Sequence, residues 1–164
     1  MDGERHSLFG EGTDAGFLGG VAVAVWFLIR DLISGQPLAT PSVLGQVLLF
    51  GEKSPVVDHP VFGAVVLYTG VHFIVFVLFG FFVAWLVRLA DQLAVFRFAL
   101  LVLFVVFEVF FYVLINFVSA EVSALFPLFW VLSANLLAAL VMGFYFWRKH
   151  PELKQALEKE PLGA

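Results

Sequence analysis

The sequence contains no cysteine and little charge. The lack of cysteine excludes disulfides, thiolate zinc sites, cysteine-ligated iron–sulfur clusters and a cysteine nucleophile. Charged residues make up 13% of the 164 residues, whereas soluble domains carry about 25%. Hydrophobic residues make up 62%, and the mean hydropathy is +1.00. This composition predicts one membrane domain with short tails, and no binding of nucleic acid is expected.

Four stretches of the chain are long and apolar enough to cross a membrane. About 20 apolar residues, each rising about 1.5 Å along a helix, span a hydrocarbon core about 30 Å thick. Short turns between the later stretches make neighbouring helices antiparallel. We therefore predict an all-α fold, an integral membrane four-helix bundle with short hairpin turns. The predicted spans are about 16–33, 61–87, 96–117 and 124–147, between tails at 1–15 and 148–164.

The longest connection between spans, 34–60, contains the signature of a short helix. Thr40 can cap its start, Pro41 suits its first turn and Gly51 suits its end. The segment is too short to span, so it predicts one interfacial helix in this first extramembrane connection. We expect its apolar face to be buried and Gln46 to be accessible to water. The apolar face consists of Val43, Leu44, Val47 and Leu48.

Two pairs of polar residues flank this connection. Arg30 and Asp31 lie near the end of the first span, where an interfacial anchor is favoured over a gate or a pair with another subunit. Asp58 and His59 could bind a metal at the outer surface. Two adjacent ligands between prolines are more typical of a solvated loop, so no metal site is predicted.

Lysine and arginine predict the orientation of the bundle, because they concentrate on the cytoplasmic side of membrane proteins. The other side of the predicted bundle carries only Arg30 and Lys53. Both termini are therefore predicted to be cytoplasmic. The residues on the side of the termini are Arg5, Arg88, Arg97, Arg148, Lys149, Lys154 and Lys159.

Polar residues occur at matching depth in three of the predicted spans. His72, Glu108 and Asn135 each lie near the centre of a span, and Tyr68 and Tyr112 lie one turn toward the outer side. Polar groups are costly in hydrocarbon and face the interior of a bundle. These five residues therefore predict a buried polar cluster.

Three interpretations of this cluster are open. It could be a structural hydrogen-bond network that fixes the register of the helices. His72 could be the single axial ligand of a haem or chlorophyll. Glu108 could carry protons or ions across the membrane. The sequence contains neither a catalytic constellation nor a complete set of metal ligands, so no catalytic residue is predicted.

Small residues at four-residue spacing indicate where helices pack closely, because they let two backbones approach. Each of three predicted spans contains such a series. The predicted packing residues are Gly16, Gly20 and Ala24 in the first span, Gly80 and Ala84 in the second, and Ala139 and Gly143 in the fourth.

The segments QPLATPSVLGQVLLFG, YTGVHF and ANLLAALVMGFYFWRKHP resemble parts of a group of small bacterial membrane proteins with four predicted spans. The likeness extends from Gly16 to Pro151. It implies a bacterial inner membrane and no particular activity.

Compact hairpins and small-residue faces without a catalytic constellation favour a non-catalytic subunit or scaffold. Such a protein would pack in a larger respiratory or photosynthetic membrane complex, in contact with other subunits and bound lipids. The alternatives are a pigment-binding protein that uses His72 and a small proton or ion channel or transporter that uses Glu108.

Overall fold

The computed structural model describes residues 7–92, 106, 109, 113 and 127–151. Within these residues four continuous helices and no strands are present, which confirms the predicted helical bundle for this part of the chain. Three of these helices are long and apolar enough to cross a membrane. The fourth, which comes second along the chain, is apolar but short. Most of the predicted span 96–117 lies outside the described residues. The helices are α1 (Leu8–Ile33), α2 (Ala39–Phe50), α3 (Phe62–Gln92) and α4 (Leu128–Lys149).

Helix α1 begins at Leu8, inside the stretch 1–15 that was predicted to be a tail. Ser7 caps this end, and its hydroxyl oxygen accepts a hydrogen bond of 3.0 Å from the Gly10 N–H. Glu11 lies in the first turn, where a negative charge is favoured by the helix dipole. The early start extends the bundle beyond the uninterrupted apolar run.

Pairs of adjacent buried residues give α1 two contact faces. The first face packs against α3, where a Cβ added to Gly12 or Gly20 would meet the ring of Phe81 or Phe73. The second face packs against α4, where a Cβ added to Gly19 would lie 2.8 Å from Met142 Sδ. Helix α1 therefore lies between α3 and α4. The first face is formed by Gly12, Gly16 and Gly20, and the second by Ala15, Gly19 and Val23.

Two backbones approach closely at Gly80. A Cβ at this position would meet the carbonyl oxygen of Gly12 and the backbone of Gly16. A Cβ at Gly16 would in turn meet the backbone of Phe76 and Val77. Two glycines on facing helices thus bring α1 and α3 into backbone contact in an antiparallel arrangement.

Helix α4 runs antiparallel to α1. Near its start, the ring of Trp130 lies 5.7 Å from that of Trp26 in the last turns of α1. Near its end, Phe146 packs with Ala15 in the second turn of α1. Its buried face consists of Val131, Ala134, Asn135, Ala138, Met142 and Phe146.

The predicted packing residues fall on different sides of their helices. Ala84 is fully buried and packs with Ala15. Ala24 and Gly143 are exposed, whereas Ala139 is half-buried. The reason is helical geometry. Each step of four residues rotates the side chain about 40° further around the helix than one full turn, so a residue two steps away no longer lies on the contact face. The buried faces follow mixed steps of three and four residues instead.

Helix α2 packs on the beginning of α3. A Cβ added to Gly45 would meet the backbone of Ala64. Val43, Leu44 and Val47 are buried as predicted, but Leu48 is 46% exposed. Gln46, which was expected to be accessible, is buried. The helix is thus covered on its polar side as well, by the segment that follows it.

Candidate functional site

His72 joins α3 to α1 at the centre of the bundle. Its Nε2 lies 3.1 Å from the carbonyl oxygen of Gly20. Because a carbonyl oxygen only accepts hydrogen bonds, Nε2 carries the hydrogen and donates it. The ring contacts those of Phe73 and Phe76, with centroid distances of 5.4 and 4.7 Å. His72 thus links the two helices by a side-chain hydrogen bond to the backbone.

These surroundings do not fit a haem or chlorophyll ligated by Nε2. An axial ligand must present a ring nitrogen to the metal. Nε2 of His72 is instead bonded to the Gly20 carbonyl, and the flanking phenylalanine rings of α3 occupy the space beside the imidazole.

The other members of the predicted polar cluster are described only in part. The Tyr68 ring centroid lies 6.0 Å from that of His72, and the side chain packs against a hydrophobic cluster beneath α2. Asn135 is buried on α4. Glu108 and Tyr112 lie outside the described residues. That all five residues meet stays a prediction.

Asp31 forms a second polar site, between α1 and α2. This carboxylate is 1% exposed. It accepts two hydrogen bonds of 2.7 Å, from the N–H and the hydroxyl of Thr40. Arg30 Nη1 donates to the same carboxylate at 3.2 Å. The predicted interfacial anchor is thus a buried cap that holds the first turn of α2.

The start of α2 differs from the predicted cap at Thr40. The helix begins at Ala39, and its N-cap residue is Leu38, which has a left-handed backbone with φ 65° and makes no capping side-chain hydrogen bond. Asp31 takes over this role from the preceding helix. A carboxylate suits the position, because free N–H groups and the helix dipole both favour a negative charge.

Ser42 and Gln46 form a third polar site, on the covered side of α2. Gln46 pairs with the backbone of Val56 in both directions, since its Nε2 donates at 3.1 Å and its Oε1 accepts at 2.9 Å. The Ser42 hydroxyl oxygen accepts from the Val61 N–H at 2.9 Å. These bonds fold the segment before α3 back onto α2. Sequence patterns cannot reveal such contacts, because the partners are backbone groups.

A fourth polar site joins the three described long helices near the start of α1. Glu11 is 3% exposed, and its Oε2 lies 3.3 Å from Arg88 on α3 and 3.5 Å from His150 after α4. Next to it, the Tyr145 hydroxyl donates to Asp14 at 3.1 Å. This site was missed in the sequence, because Glu11 and Asp14 were assigned to the tail. The available signal was Gly12, which extends the Gly16 and Gly20 series by one step.

The loop residues Asp58 and His59 remain exposed, with 3.7 Å between Oδ2 and Nδ1. Across the described part of the chain, no group of three or more histidine or acidic side chains is placed to hold a metal ion.

Comparisons of the chain with protein-family models, with curated proteins and with solved structures found no match.

Proposed function

We propose that this protein is an integral membrane protein of the bacterial inner membrane. It acts as a non-catalytic subunit or scaffold that packs in a larger membrane complex. Within the described residues, the polar sites tie helices and loops of the chain to one another. The outward surface is apolar, with Ile74 on α3 and Leu140 on α4 both 61% exposed. A surface of this kind suits lipid tails and partner helices.

Two outward glycines carry the proposal of a partner. Gly70 on α3 and Gly143 on α4 are exposed, and a Cβ added to either meets no described atom within 4 Å. A glycine inside a helix costs about 1 kcal/mol relative to alanine. Gly12, Gly16 and Gly80 offset this cost through close packing, whereas Gly70 and Gly143 find no such contact among the described residues. A second protein's helix seated on these positions would supply the contact.

Photo-crosslinking in native membranes tests this proposal. A crosslinking phenylalanine analogue at Ile74, one turn from Gly70, should give an adduct of one discrete mass. The same analogue at Glu52, in the exposed loop, is the control and should give none. Gly70→Leu should abolish the adduct by blocking close approach, without lowering the thermal stability of the purified chain. An adduct that survives Gly70→Leu, or lipid adducts alone, would contradict the proposed partner.

The ends of the described helices support the proposed four-span orientation. Glu11, Arg88 and His150 bring the start of α1 and the ends of α3 and α4 to one end of the bundle. Helix α4 begins at the opposite end, next to α2. We therefore expect reporters fused at the N-terminus, the C-terminus and Ala90 to read cytoplasmic, and a reporter at Glu52 to read periplasmic. A periplasmic reading at any of the first three would refute the four-span arrangement.

A further inference from the structure

A groove of about 620 Å³ runs between α1 and α4 on the outside of the bundle. Leu18 lines it from α1, and residues of α4 line the rest of its length. Its volume lies within the range of about 300–1,000 Å³ that is usual for small-molecule sites. The lining residues are Leu18, Leu140, Val141, Phe144, Tyr145, Arg148 and Lys149.

The two ends of this groove differ in character. From Leu140 to Phe144 the lining is apolar, and Arg148 lies about 12 Å from Leu140 along the helix axis, next to Lys149. The Arg148 guanidinium carbon lies 5.6 Å from the Phe144 ring centroid, so the charge sits directly over the apolar lining. The groove is thus apolar along most of its length and positively charged at its mouth.

The positive charge at the mouth comes from Arg148 and Lys149, whose side chains are both exposed. Neither Arg148 nor Lys149 forms an ion pair with any of the described residues. Asp14 accepts a hydrogen bond from the hydroxyl of Tyr145, which lines the groove. Glu11 is buried and faces Arg88 and His150 instead. Of the described residues that line the groove, two are therefore cations and none is acidic.

We propose that this groove binds an anionic phospholipid, with one acyl chain along Leu18 and Phe144 and the phosphate at Arg148 and Lys149. The inference rests on the proposed membrane location, which puts this end of α4 at the cytoplasmic face. Anionic lipids are concentrated in that leaflet, and basic pockets between membrane helices bind their headgroups. A zwitterionic lipid would bring its own cation to the two basic side chains and fits less well.

Native mass spectrometry of the purified full chain tests the proposal by titration with phosphatidylglycerol and with phosphatidylcholine of the same acyl chains. We expect one tight site for phosphatidylglycerol. The double variant Arg148→Gln/Lys149→Gln should bind it about 25-fold more weakly, because the loss of each positive charge near the membrane surface weakens binding about fivefold. Binding of phosphatidylcholine should not change. Lys53→Gln, which removes one charge from the loop at the other end, is the control and should bind like the unaltered chain.

Leu18→Trp tests the apolar part, since an indole in the groove should weaken phosphatidylglycerol binding while both cations remain. Equal affinity for the two lipids, or an unchanged affinity in the double variant, would overturn the proposal. Displacement of the lipid by millimolar inorganic phosphate would also overturn it, since the acyl chain would then contribute nothing. Because the titration uses the isolated chain, its result is independent of whether the crosslinking at Ile74 finds a partner.

Discussion

Gly80→Ala is expected to destabilise the purified chain by about 1–3 kcal/mol, although alanine is the better helix former. The added Cβ would meet the Gly12 carbonyl oxygen and the backbone of Gly16. A side chain can rotate away from such a contact, but a backbone can move only if the whole helix shifts. Since α1 also packs on α4, such a shift would disturb the second face of α1 as well.

Gly70→Ala is the matched control on the same helix. Its Cβ meets no described atom within 4 Å, so only the helix propensity changes. We expect a gain of up to about 1 kcal/mol in the purified chain. The two glycine-to-alanine variants should therefore shift the stability in opposite directions. Chemical unfolding in mild detergent, followed by far-UV circular dichroism, measures both.

Equal shifts for the two variants would show that the approach of α1 to α3 at Gly80 is not as close as described. A larger side chain sharpens the test, because Gly80→Leu cannot be accommodated by a small displacement. We expect Gly80→Leu to lose the native bundle, and Gly70→Leu to keep it. The second variant also serves the crosslinking experiment, which requires a folded chain.

The apolar runs predicted the three long helices that are described, because hydrophobic length is a strong signal over about 20 residues. The start of α1 was harder to predict. Glu11 and Asp14 make the first turns polar, and polar residues at a span end usually indicate a tail. Glu11 is buried against Arg88 and His150, and Asp14 accepts from Tyr145, so their partners come from distant parts of the chain. Local pattern carries no information about such partners.

The packing faces were partly predictable for a different reason. Gly16, Gly20 and Gly80 could be picked out, because glycine inside an apolar helix costs stability and so indicates a close contact. The direction of each face could not be fixed by four-residue steps alone. Gly143 was assigned inward with Asn135, yet only Asn135 is buried. Gly70 shows that an in-helix glycine can also point outward.

Polar residues in the connection were predicted least well, since backbone groups decide their burial. Gln46 resembles a residue for the wet side of an interfacial helix. It is buried because its side-chain amide forms two hydrogen bonds with the backbone of Val56, one with the N–H and one with the carbonyl oxygen. Asp31 likewise looks like an anchor near a span end, yet it binds the N–H of Thr40.

Asp31→Ala is expected to cost about 2–4 kcal/mol and to loosen α2 first. The variant leaves the N–H and hydroxyl of Thr40 without their carboxylate acceptor, and each unsatisfied buried group costs about 1–3 kcal/mol. It also removes one partner of Arg30, which still donates to the Thr40 hydroxyl at 3.3 Å and whose side chain is 20% exposed. The total therefore stays below the sum of the separate penalties.

Asp31→Asn separates charge from hydrogen bonding at this site. The amide oxygen can still accept from the Thr40 N–H, while the charge that suits the start of α2 is lost. We expect about half the loss of Asp31→Ala. Asp58→Ala is the control, because that side chain is 83% exposed and surface changes usually stay within about 0.5 kcal/mol.

Hydrogen exchange distinguishes a local effect from a global one. If Asp31 caps α2, the amides of 39–43 should exchange faster in Asp31→Ala, while those of the α1–α3 contact around Gly16 keep their protection. Packing of Val43, Leu44 and Val47 should hold the rest of α2 in place. If the Asp31→Ala variant has the same stability and the same exchange rates as the Asp58→Ala control, the Asp31 carboxylate does not cap α2. The left-handed Leu38 would then have to begin the helix unaided.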